Sequence, residues 1–175
     1  RAVADEKAGI VVEGHPLVLG EPATDVHDLF VSEGAEPVLV RGEDFGVESA
    51  RLAVGGQVVN FWGPHGHHRE VYLPMYGSGQ ADNAAAALTA VEAFLDGPLG
   101  DDVVTEGLGG IALPGRMEVL ARHPLVVADG AHNKDAARHL ASAIPEAFTA
   151  NRLILVLGVL EPHDPTEIID ELSAL

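Results

Sequence analysis

PLVVADGAHN (residues 124–133) runs straight into KDAARHLASAI (residues 134–144), and the reading of this pair decides the fold. Positions 124–128 form a short apolar run rich in β-branched residues, which predicts a buried strand. In the segment that follows, Asp135, Arg138 and His139 alternate with Ala136, Ala137, Leu140, Ala141 and Ile144 at helical spacing. The unit is therefore strand, turn, helix. In open α/β sheets ligands bind beyond the carboxyl ends of the strands, and here that position holds Asp129, His132 and Asn133. A carboxylate, an imidazole and an amide suit a ribose or a base edge. The plainer reading is a helix cap, because Asp129 or Asn133 can accept from the first helical N–H groups.

Outward from this unit, residues 152–158 (RLILVLG) read as a second buried strand and residues 165–175 as a second helix. Two successive β-α units predict a parallel, Rossmann-like sheet. Upstream, HPLVLG at 15–20 reads as a strand, residues 24–33 as a helix with Val26, Leu29, Phe30 and Val31 on one side, and PVLV at 37–40 as the next strand. After Phe45 the period changes to two. The runs 51–54 and 57–62 flank Gly55-Gly56, a hairpin signal, and residues 70–73 add a third antiparallel strand. Ala84, Ala87, Leu88, Val91, Phe94 and Leu95 predict an amphipathic helix over 80–95, ended by Gly97 and Pro98. Residues 99–115, rich in glycine around a short acidic piece that is a candidate helix, read as a flexible connection between two domains.

Composition narrows the function classes. The 175 residues are 47% hydrophobic, enough to bury a core and to exclude disorder. Ten Lys and Arg against 27 Asp and Glu give a net charge of −17, which disfavours nucleic acid and anionic membrane surfaces as partners. An anionic metabolite is still accommodated where a few cations and helix N-termini converge. With no cysteine, disulfides and thiolate zinc sites drop out. No leader and no apolar run near the roughly 18 residues of a membrane span are visible, so a cytoplasmic protein is expected. Arg1 opens the sequence without an initiator methionine and Leu175 closes it in a helical pattern, so the chain reads as an internal piece of a longer protein.

Four motifs stand in order: EKAGI at 6–10, GSGQADN at 77–83 before an alanine-rich helix, PGRME at 114–118, and DGAHN at 129–133. Together they resemble the folylpolyglutamate synthase and dihydrofolate synthase family of Mur-type ligases. The resemblance implies an α/β fold in which residues 1–110 are the C-terminal part of a Mur-type central, ATP-binding domain with an antiparallel hairpin region. Residues 111–175 would then be the start of a Rossmann-like C-terminal ligase domain. The family's Gly-Lys-Ser/Thr phosphate loop is not in this sequence, nor is its upstream magnesium-holding His and Glu pair. Phosphate cradling needs consecutive backbone N–H groups, a lysine and a hydroxyl on the metal, so this chain alone is expected to be inactive.

Residue by residue, the resemblance implies that Lys7 is carbamylated and supports a magnesium ion, that Arg116 reaches the ATP phosphates, and that Gln80, Asn83, Asp129 and His132 line the nucleotide. Lys7 and Arg116 would be the catalytic pair. Each residue also has a bland reading: Lys7 as an exposed lysine beside Glu6, the 77–83 segment as a helix cap supplied by Ser78 or Asp82, and Arg116 as a salt-bridge partner of Glu118. Two departures from the family pattern stand out. Gly79 replaces a histidine, and EPHDP at 161–165 replaces an Asp-Lys-Asp type turn, with Asp164 as the surviving acid. His65, His67 and His68 read as polar residues of an exposed hairpin turn rather than as a metal site. Trp62 and Tyr72 read as cross-strand packing residues.

The implied reaction is ATP-dependent ligation of L-glutamate to folate or dihydropteroate through an acyl phosphate, with ATP and Mg2+ as cofactors and a monomeric full-length protein. Domain closure across 99–115 is implied with it. Two other readings are a different Mur-type amide ligase and a degenerate, non-catalytic nucleotide-binding fragment.

Overall fold

The computed structural model describes residues 6–20, 24–161, 164–173 and 175. Strand β1 (Leu17–Leu19), helix α1 (Thr24–Ser32) and strand β2 (Val38–Val40) form the expected β-α-β unit, with the two strands parallel. Phe30 is buried against Leu19 and Val40, and Leu29 packs at the edge of that cluster; Val31 points outward. The side chain of Val26, expected on the same side, lies outside the described residues.

Strands β3 (Gly46–Ala53), β4 (Gly56–Gly63) and β5 (Gly66–Leu73) make an antiparallel meander. The Gly55-Gly56 hairpin forms as the spacing predicts, with Ala53 opposite Gly56. Gly56 also has a steric reason to be glycine, because a Cβ there would stand 2.2 Å from the Leu73 carbonyl oxygen. Inward-facing Val59, Phe61, Val71 and Leu73 join Phe45 and the helix α2 (Ser78–Leu95) in the main core. Trp62 lies over Gly46 and Tyr72 donates its hydroxyl hydrogen to the Val54 carbonyl, so both serve the sheet, although not against one another.

Helix α2 differs from the expected face. Its buried residues are Ala81, Ala84, Ala85, Leu88, Thr89 and Glu92, whereas Val91, Phe94 and Leu95 are exposed. An alanine-rich helix has weak contrast between its sides, so the sheet sets its rotation and not the few large apolar residues.

The histidine reading also needs correction at one position. The turn at Pro64-His65 exposes His65, and His67 is exposed on β5, but His68 faces inward and is buried. Its Nδ1 lies 2.8 Å from Asp101 Oδ1 and its Nε2 3.2 Å from Glu92 Oε1, and the same Glu92 oxygen accepts from the Leu99 amide at 3.0 Å. A bulge in β5, where the register with β4 shifts and Glu70 takes a φ of 55°, breaks the alternation and turns residue 68 to the same face as Val71 and Leu73, and the two carboxylates make that burial tolerable. This cluster ties helix α3 (Asp101–Gly109) to β5 and α2, with Val104 buried behind it. The expected flexible connection is thus packed over its middle, and irregular backbone is confined to residues 96–100 and 110–117.

Strand β6 (Glu118–Arg122) pairs antiparallel with β7 (Leu125–Ala128), and β7 leads into helix α4 (Lys134–Ala147). The strand-turn-helix unit of residues 124–144 is present, but β7 is a hairpin strand with Leu125 and Val126 exposed, not a buried one. The second strand expected at 152–158 does not form, and Ile154 and Val156 are exposed at 74% and 91%. An apolar run becomes a strand only when a neighbour pairs with its N–H and C=O groups, and no described strand lies alongside it. Helix α5 (Pro165–Leu172) begins with Asp164 as N-cap, its Oδ1 accepting from the Thr166 amide at 2.8 Å. Ile168 and Leu172 of α5 pack against Ala137 of α4, and Arg138 Nη2 donates to Glu171 Oε1 at 2.9 Å. That hydrogen bond holds the Glu171 carboxyl below its ordinary range and raises the Arg138 guanidinium. No helix among the described residues is long and apolar enough to cross a membrane.

Candidate functional site

A cavity of about 240 Å3 opens between the N-terminal half of α2 and one face of α4. Four of the residues singled out in the sequence, Gln80, Asn83, Arg116 and Asp129, line it. They arrive from three separate elements, and the backbone explains why they meet.

Helix α2 starts at Gly77, whose φ of 88° is a left-handed conformation that glycine adopts freely. No side chain caps this end, so the bland reading in which Ser78 or Asp82 serves as cap does not hold. Its first N–H groups and the positive end of its dipole therefore border the cavity. One turn in, Gln80 and Asn83 share a face, with Asn83 Nδ2 3.5 Å from Gln80 Oε1. At that distance the bond is weak, which leaves both amides able to turn to a ligand.

Arg116 sits on the loop before β6. Glu118, the sequence candidate for its salt-bridge partner, instead accepts from the Gly115 amide through Oε2 at 2.8 Å. Among the described residues Arg116 has no ion-pair partner, and it lines the cavity wall. Asp129 holds this loop in place. Its Oδ2 accepts from the Met117 amide at 2.8 Å and its Oδ1 from the Ala131 amide at 2.7 Å, while the Gly130 amide donates to the Gly115 carbonyl at 2.7 Å. Asp129 is therefore not the helix cap. Asn133 takes that role, its Oδ1 accepting from the Ala136 amide at 2.9 Å.

Two sequence candidates do not join the cavity lining. His132 is exposed, with Nδ1 2.9 Å from the Gly130 carbonyl oxygen. Lys7 is exposed on a short helical turn whose carbonyl accepts from the Ile10 amide at 3.1 Å. No three His, Asp or Glu side chains come together as a metal-binding group among the described residues.

Among the lining residues that the motifs did not point to, Arg41 and His139 carry basic side chains. Arg41 follows β2, donating from Nε to the Gly20 carbonyl at 2.7 Å and from Nη1 to Asp82 Oδ2 at 2.9 Å. The carboxyl-end rule, applied to β2 as it was to β7, would have found it. His139 of α4 is the other, and it stands against Gly79.

Residues 115–173, which carry Arg116, Asp129 and α4, match the family model described as Mur ligase, glutamate ligase domain. The chain is 35% identical, over 98% of its own length and 38% of the relative's, to dihydrofolate synthase/folylpolyglutamate synthase of Mycobacterium tuberculosis. The chain is homologous to the folylpolyglutamate and dihydrofolate synthases of the Mur ligase family. Folylpolyglutamate synthase of Mycobacterium tuberculosis, solved with ADP and AMPPCP, superposes on this homologue with a TM-score of 0.92 at 34% identity, covering 98% of the chain and 40% of the solved one. A folylpolyglutamate synthase complex with AMPPCP and folate superposes with a TM-score of 0.79 at 29% identity, covering 85% and 38%. The homologue thus spans about two fifths of the length of the proteins it matches.

Proposed function

We propose that this chain forms one wall of the ATP site of a ligase that adds L-glutamate to folate, to dihydropteroate, or to both. The observation that carries the reading is the convergence of Gln80, Asn83, Arg116 and Asp129 on one cavity at the uncapped start of α2. The nucleotide complexes of its homologues support the same reading.

In the reaction, a carboxylate oxygen of the folate or pteroate attacks the γ-phosphorus of ATP, giving an acyl phosphate and ADP. The α-amine of glutamate then attacks the acyl carbon, loses a proton, and expels phosphate as the amide forms. Arg116 offers a planar fork of N–H donors to the phosphate oxygens, and the charge that builds during phosphoryl transfer is what such a cation stabilises. Arg41, which follows β2 and is paired to Asp82, adds a second guanidinium to the same cavity lining. Gln80 and Asn83 hold the base edge. Asp129 acts through backbone amides, fixing the loop that presents Arg116. His132 is assigned to the same nucleotide.

The domain division follows the connection at 110–117, with residues 1–110 in the central domain and 111–175 in the ligase domain. For magnesium the described residues do not make a complete site, since no group of three carboxylate or histidine side chains among them is arranged to hold a metal ion. No step is routed through the ion, and Lys7 is assigned to it only as a carbamylated support.

The test uses the full-length protein. ATP conversion to ADP is expected to require both glutamate and a folate or pteroate substrate, and Arg116→Ala and Lys7→Ala are each expected to lower turnover by at least about a hundredfold, the scale of losing one charge-stabilising group. Full turnover in both variants would remove the assignment.

A further inference from the structure

Of the groups lining the cavity, His139 is the one ring on the α4 wall, and nothing in the four sequence motifs assigns it a role. The α2 wall opposite carries Gly79 against this ring. A Cβ placed on Gly79 would stand 3.6 Å from Cγ and Nδ1 of the imidazole and 3.9 Å from Cε1. That is ordinary van der Waals contact, so an alanine would fit at residue 79 and a longer side chain there would run into the ring. The backbone of Gly79 is not in the left-handed region, unlike that of Gly77, so conformation does not require a glycine there. What the missing side chain provides is room.

The ring that fills this room is otherwise uncommitted. His139 is exposed, and among the described residues neither of its nitrogens has a hydrogen-bond partner; only its carbonyl is used, by the Ser142 hydroxyl at 2.9 Å. Ala136 and Ala143, one turn to either side on α4, are too small to reach across the cavity. His139 therefore offers a flat aromatic ring to the cavity that Gln80 and Asn83 also line, from the α4 wall and not from the Arg116 loop.

We propose that His139 flanks the heteroaromatic base of the nucleotide, stacking on it from the ligase-domain side, and that Gly79 is the cut-out that admits the ring. The proposal rests on the nucleotide reading above. Ring-on-base stacking tolerates any purine and adds affinity without entering the chemistry. It also makes the base pocket a shared structure, half from α2 and half from α4. A nucleotide seated there bridges the two helices through its base as well as through its phosphates.

The experiment uses the full-length protein with ADP in calorimetry and ATP in steady-state kinetics. His139→Ala is expected to weaken ADP about tenfold, the lower part of the range for losing one stacked base contact, with the loss falling on KM for ATP and not on kcat. His139→Phe, which keeps a flat ring and removes the nitrogens, is expected to stay within about threefold of the parent. Gly79→Leu, which fills the cut-out while leaving His139 in the sequence, is expected to repeat the alanine loss. Unchanged melting temperatures in all three separate lost contact from lost fold. ADP binding by His139→Ala equal to that of the parent overturns the proposal alone, as does a phenylalanine variant as weak as the alanine one or a defect confined to kcat. Failure of the parent protein to bind ADP overturns the nucleotide reading together with it.

Discussion

The β3–β5 sheet with α2 and the α4–α5 pair are built to different standards. The first buries Phe45, Val59, Phe61, Val71 and Leu73 completely or nearly so, with an alanine-lined helix laid across them. The second rests on Ala137, Ile168 and Leu172, while Leu153, Ile154, Leu155 and Val156 beside it are exposed. Yet both contribute a wall to the same cavity, and the family model falls on the thinly cored region. Stability and site are therefore unevenly shared. The sheet supplies a rigid half, and the helical pair supplies a half whose position depends on fewer buried atoms.

The largest break in this comparison should come from Phe61→Ala, expected to cost about 4 kcal/mol, because a fully buried aromatic leaves a cavity in a core that cannot collapse around it. Urea unfolding followed through Trp62, the single tryptophan, reads the loss directly. Ile168→Ala should cost about half as much, near 2 kcal/mol, in its smaller cluster; equal costs would erase the distinction. Between these two falls His68→Ala, expected at about 3 kcal/mol because it leaves the buried Glu92 carboxylate facing an empty space. Replacing Glu92 by glutamine in the same background should recover part of that loss, and no recovery would mean that the imidazole matters for packing alone.

The smallest effect should come from Glu171→Gln at the α4–α5 contact. The Arg138 hydrogen bond lowers the folded-state pKa of Glu171, so its contribution is present above the ordinary value of 4.5 and fades as pH falls through the lowered one. Parent and variant should therefore differ slightly at neutral pH and converge in acid. A gap that widens on acidification would contradict the sign.

Much of this arrangement was readable in the residues themselves. The Gly55-Gly56 hairpin and the β1-α1-β2 unit follow from turn chemistry and hydrophobic period, which act over a few residues. Gln80, Asn83, Arg116 and Asp129 were legible through the resemblance carried by the motifs at 77–83, 114–118 and 129–133, the first two on the opening turns of α2 and the others in the loops around β6 and β7. The phase of α2 was not, since Ala84 and Ala87 are indistinguishable to a periodicity argument, and the buried positions include Thr89 and Glu92. Residues 152–158 misled for a different reason. Their apolar, β-branched composition is a preference for a sheet and carries no information on whether a partner strand is alongside. Arg41 was within reach of the carboxyl-end rule at β2, whereas His139 escaped because its position arises from what faces it across the fold, a relation that no local spacing encodes.

The bonds from Asp129 to Met117 and Ala131, with that from Gly130 to Gly115, splice the Arg116 loop to the start of α4. The guanidinium and the imidazole are consequently cargo on one carriage. Any swing about residues 110–114 moves them together by the same rotation, so a ligand in the cavity meets both or neither. On the nucleotide reading proposed above, the contacts to phosphates and to base are then set by a single coordinate, the angle between the two halves.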